Sequence, residues 1–90
     1  MEDITAQEVI LYLQKMGMKI PDDISVMGFN DLEVTSHFSP GITTMRVARY
    51  KMGFLAAEIL LKALNGYPVQ QIFLKAELVE RETCRKPKRR

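Results

Sequence analysis

Tryptophan is absent from this 90-residue sequence, and cysteine and histidine occur once each, as Cys84 and His37. A single thiol cannot staple a small domain, so the fold must rest on apolar burial, and such sparing cysteine use fits a reducing compartment. One cysteine and one histidine offer no metal-ligand spacing. His37 has no evident base-and-orienter set around it, and Asp22-Asp23 reads as turn chemistry rather than as an acid pair. No catalytic residue, metal or cofactor is therefore expected, and the chain is not expected to be an enzyme. Long apolar runs are also missing. Nothing approaches 18 consecutive apolar residues, which argues against a membrane span. The opening Met1-Glu2-Asp3 carries neither a basic n-region nor an apolar h-region. No secretory leader is expected there, and the cytoplasm is the expected location.

What is present is ordinary globular composition with an uneven charge. Hydrophobic residues make up 47% of the chain, enough to argue against disorder throughout. The last six residues, Arg85 to Arg90, hold five of the 13 basic side chains, which leaves 8 basic against 11 acidic in the body. The basic pI of 8.8 thus describes a tail. A compact basic run can bind phosphate, but no aromatic residue is interleaved to stack on bases. Residues 85–90 are expected to be a disordered basic tail and residues 1–84 a single domain portion.

Apolar periodicity predicts a helix over residues 4–16, capped by Asp3 or by Thr5 with Glu8 in a capping box, and stopped by Gly17. At 100° per residue Ala6, Val9, Ile10, Leu13 and Met16 share one face, while Ile4, Leu11 and Met18 fall on the other. One stripe suffices to cover a sheet. The second points either to a further contact, such as a partner subunit, or to scattered surface apolars. After a turn at Pro21-Asp22-Asp23, residues 24–29 read as a short strand of the kind buried on both faces of a parallel sheet. Asn30-Asp31 follows at its carboxyl end, where open α/β sheets bind ligands, although short polar residues also simply turn chains there. A second strand is expected over 42–47. A helix follows over 48–64, packed through Ala56-Ala57 and Ile59-Leu60-Leu61, with Gly53 permitting close approach and Asn65-Gly66 and Pro68 ending it. A final strand is expected over 71–80, with Ile72, Leu74, Ala76 and Leu78 on one face. The class is α/β, with an incomplete parallel sheet and flanking helices. The missing edges must come from further sequence or from a second copy.

Five motifs stand in order: Glu2-Asp3-Ile4-Thr5-Ala6; the run from Gly17 through Ile20-Pro21-Asp22-Asp23-Ile24-Ser25-Val26-Met27-Gly28-Phe29-Asn30-Asp31; Ser39-Pro40-Gly41-Ile42-Thr43-Thr44; Tyr50-Lys51-Met52-Gly53; and Leu78-Val79-Glu80-Arg81-Glu82-Thr83. In order and spacing, up to about Thr83, this resembles the C-terminal stretch of LacI/GalR-type transcriptional regulators. The resemblance implies part of a two-lobed, type I periplasmic-binding-protein-like fold that holds a small, sugar-like effector between its lobes. It also implies crossings between lobes near residues 46–49 and 75–77. Operator DNA would be bound only through a separate helix-turn-helix headpiece, by a homodimer or higher oligomer, with no membrane involved. By the same resemblance Asn30, Glu2 and Arg49 are ligand-binding candidates. Val47 shares the cleft-lining stretch with Arg49 but cannot hydrogen-bond through its side chain. Ile4, Leu11, Met18, His37 and Phe38 are dimer-interface candidates. Two other readings stay open: an extracytoplasmic sugar-binding protein of a transport system, and a ligand-free module that self-associates, with exchanged elements.

Overall fold

The computed structural model describes residues 1–87. Helix α1 (Asp3–Lys15) is followed by a single 3-10 turn (Glu33–Thr35), strand β1 (Thr44–Arg46), helix α2 (Arg49–Leu64) and strand β2 (Glu77–Val79). These elements fall into two compact units. One is built from Met1–Arg46 together with the chain from Glu77 onward; the other is Val47–Ala76. The chain thus leaves the first unit after Arg46 and re-enters it at Glu77, within the two spans expected for crossings.

In the first unit the amphipathic face of α1 supplies the core. Ala6 and Ile10 are fully buried against Val26 and Ile42, with Val9, Leu13, Ile20 and Phe38 packed around them. Met16, expected on this face, lies beyond the helix and is exposed. The helix start differs from the expected cap. Glu2 is the cap residue, with extended backbone and no side-chain bond, and Asp3 is the first helical residue. The reason is that the Asp3 carboxylate turns inward to long-range donors instead of back onto its own helix. The helix end follows expectation. Gly17 adopts φ +86. Its N–H donates to the Gln14 carbonyl while Met18 N–H donates to that of Leu13, a Schellman closure.

Residues 24–29 run extended but form only one bridge, Met27 to Thr43, in parallel sense. Val26 N–H donates to the Thr83 carbonyl, Gly28 N–H to Thr43 and Asn30 N–H to Met45. Only Val26 and Gly28 are buried; Ile24, Met27 and Phe29 are exposed, so the expected two-sided burial is not achieved among the described residues. The regular sheet is β1 with β2, and it is antiparallel, with Thr44 opposite Val79 and Arg46 opposite Glu77. The expected strand over 71–80 shrinks to Glu77–Val79, because the chain before Glu77 belongs to the other unit and finds no ladder partner. Arg85, placed in the expected tail, is tied to the first unit. Arg85 N–H donates to Ser25 Oγ, and its guanidinium bonds Asp22 at 2.8 Å. Positions 88–90 lie outside the described residues.

In the second unit α2 has the expected span, and Gly66 (φ +85) ends it. Its packing is not as expected. No residue of α2 is buried, and Leu60 and Leu61 are each 61% exposed. Leu55 and Ile59 share a hollow with Ile72 and Leu74, but a Cβ at Gly53 would meet nothing within 4 Å. Among the described residues no helix is long and apolar enough to cross a membrane.

Candidate functional site

The extended segment 24–29 ends in two consecutive left-handed residues, Asn30 (φ 94) and Asp31 (φ 53). Asparagine and aspartate tolerate this region better than other non-glycine residues. Asp3 supports this turn through Leu32 and Thr44. Asp3 is 1% exposed. Its Oδ2 accepts the Leu32 N–H and its Oδ1 accepts the Thr44 hydroxyl, each at 2.6 Å. The same Thr44 oxygen receives the Asp31 N–H at 3.3 Å. Asp31 in turn accepts from two arginines, Arg46 Nε at 2.8 Å and Arg81 Nη2 at 2.7 Å. Arg81 Nη1 also donates to the Ile42 carbonyl. The Arg81 hydrogen bond is the main reason the Asp31 carboxyl lies below its ordinary range; partial burial opposes this and Arg46 adds to it. Thr83, fully buried, closes the base of the arrangement by accepting the Thr43 N–H at its hydroxyl.

This frame presents Asn30, whose Nδ2 donates to Glu2 Oε1 at 2.8 Å. Two of the three expected ligand residues are thereby side by side. The third, Arg49, is the first residue of α2 and exposed in the other unit, beside Tyr50, Gly53 and Phe54. An amide next to a carboxylate offers donors and acceptors to hydroxyl groups. Among the described residues no three His, Cys, Asp or Glu side chains come together to hold a metal ion. A separate cavity of about 560 Å³ lies against the 21–25 turn and residues 85–87. The Asn30 frame takes no part in it.

Of the expected interface residues, Ile4 and Leu11 are each about half exposed on the outer face of α1 and Met18 is half-buried. His37 is exposed, whereas Phe38 packs on the core. Sequence reading missed Asp3, Thr44 and Arg81 as the frame. All three stand in the quoted motifs, but partners 41 and 50 positions apart leave no periodic signal.

Residues 1–84 match the family model of the periplasmic binding protein-like domain. The chain belongs to that family, among its LacI/GalR-type regulators. It is 34% identical over 86 residues to the HTH-type transcriptional repressor PurR of Aliivibrio salmonicida (strain LFI1238), an alignment covering 93% of this chain and 26% of that repressor. It is 34% identical over 76 residues to a lactose operon repressor of Rhizobium radiobacter, covering 83% of this chain and 67% of the relative. Among solved structures, the Lac repressor dimer bound to operator and the anti-inducer ONPF aligns at TM-score 0.82 and 28% identity, over 92% of this chain and 29% of that one. A periplasmic binding protein/LacI transcriptional regulator from Alkaliphilus metalliredigens QYMF, complexed with D-xylulofuranose, aligns at 0.79 and 28%, over 94% and 33%. The LacI/GalR-type chain described here spans about a quarter of the PurR repressor's length.

Proposed function

We propose that this chain is the effector-sensing part of a non-enzymatic, cytoplasmic transcriptional regulator, in which a sugar-like ligand meets Asn30 and Glu2. The observation that carries the reading is the Asn30–Glu2 pair, held on a left-handed turn beyond the carboxyl end of an extended segment. That is where α/β folds of this kind receive ligands. The relatives support the class: PurR and the lactose operon repressor are named as repressors, and one structural neighbour holds D-xylulofuranose. In this reading, ligand and operator are linked because each favours one of two arrangements of a regulator of the relatives' length. A helix-turn-helix headpiece contacts the DNA. The outer stripe of α1 serves a second copy.

The test is a thermal-shift and calorimetric screen of the regulator carrying this chain, with D-xylulose and lactose as first probes within a wider sugar panel. A ligand that binds the native state raises the unfolding temperature. Asn30→Gly, which keeps φ 94 accessible while removing the amide, is expected to weaken that binding about tenfold, the worth of one to two hydrogen bonds. A panel in which no sugar shifts the transition overturns the sugar reading. An operon-wide screen for a helix-turn-helix segment encoded in the same gene separates the regulator from a transport-type binding protein.

A further inference from the structure

Asp31 sits next to the ligand-facing Asn30, yet its two carboxylate oxygens are committed elsewhere. Oδ2 takes Arg46, the last residue of the first unit before the chain departs, and Oδ1 takes Arg81, just downstream of Glu77 where the chain returns. Asp31 is thus bonded to the end of β1 and to the chain just beyond β2, and all three residues lie in one unit. The Asp31 carboxylate is only 13% exposed and the Arg81 side chain 28%, so the Arg81 contact is shielded from solvent, whereas Arg46 is 53% exposed and contributes less. Arg81 is further fixed by its Nη1 bond to Ile42 O and by its own N–H on Thr43 Oγ1. An arginine with two planar donors in use can transmit a displacement that a single flexible contact would absorb.

Resting on the ligand reading given above, we propose that Asp31 is a positioning residue that couples the Asn30 turn to β1 and to the chain leaving β2, so that the turn and the β1–β2 ladder open and close as one. Asp31→Asn isolates this role. Asparagine has nearly the same shape and tolerates φ 53 equally well, so what is lost is the charge and one of the two arginine bonds. Amide hydrogen exchange in the full chain reads the outcome without any ligand. In Asp31→Asn, exchange at residues 30–32 and across Thr44–Arg46 and Glu77–Val79 is expected to rise together, about tenfold, while the Ile10 region of α1 changes by less than about twofold. Arg81→Lys keeps the charge but loses the planar two-nitrogen fork that serves Asp31 and Ile42 O, and it is expected to give the same pattern at smaller amplitude. Asn30→Gly, which accepts φ 94 without strain and leaves Asp31 in place, is expected to leave the β1–β2 ladder unchanged. A rise confined to residues 30–32, a uniform rise that includes α1, or no rise at all overturns the coupling. Loss of sugar binding would overturn the ligand reading and leave this exchange pattern standing.

Discussion

A methyl group at position 28 would run into the Asp3 carboxylate, and its carbon would stand 3.2 Å from the Asp3 Cα. The carboxylate cannot step aside, because both its oxygens are bonded to groups in other parts of the chain. Gly28→Ala is therefore expected to lower stability by about 1–3 kcal/mol, as overpacking does, with an unchanged denaturant slope in urea unfolding. Asp31 contributes differently, through its charge. Its carboxyl titrates below the ordinary aspartate range in the folded chain, chiefly because Arg81 bonds it. Such a group stabilises the fold fully above the unfolded aspartate value of about 4, and that contribution fades as pH falls through this range and is gone below the folded value. Urea midpoints at pH 7 and pH 3 should therefore converge more closely in Asp31→Asn than in the native chain, and an equal drop in both would refute the assignment. Sequence reading placed Asn30-Asp31 where a ligand binds or a chain turns, with Asn30 as the ligand residue. It had no means of seeing that Arg81 completes the loop, since that partner arrives from beyond a whole intervening helix.

The helices show where periodic pattern is informative and where it misleads. For α1 the stripe through Ala6 and Ile10 identified the core face, because a partner for it, Val26 and Ile42, lies in the same unit. For α2 the same kind of pattern located the helix but not its packing, since apolar spacing records a buried face without recording which chain segment covers it. The short strands were less legible. Residues 24–29 have strand composition, yet a ladder needs neighbours, and here a single parallel bridge is formed. The outer stripe of α1 yields a prediction of its own. Ile4 and Leu11 are about half exposed, with Tyr12 beside them and Val34 76% exposed on the following 3-10 turn. If a second copy covers this stripe, Leu11→Glu should leave the chain folded, since surface substitutions usually cost within about 0.5 kcal/mol, while shifting sedimentation at micromolar concentration from dimer to monomer. Sedimentation of the native chain as a folded monomer would remove the basis for that interface.

For the molecule as a whole, the order of the two units along the chain is more telling than their sizes. The first unit is discontinuous: Val47–Ala76 is set into it between β1 and β2. The two strands at this boundary are hydrogen-bonded neighbours, and Arg46 faces Glu77 directly in the register. Geometrically, the inserted unit is the loop of a β-hairpin. The chain ends that a deletion of Val47–Ala76 would create already lie side by side, at the spacing that a two-residue Asn-Gly turn spans. Replacing the insert by that turn should shorten the closing loop and retain the Arg81–Asp31 and Thr83–Thr43 bonds, with β1–β2 amides as protected as in the parent. Loss of that protection would show that the ladder depends on the inserted unit. Retained protection would make the first unit a socket, with Arg46 and Glu77 as the two ends onto which other inserts are grafted.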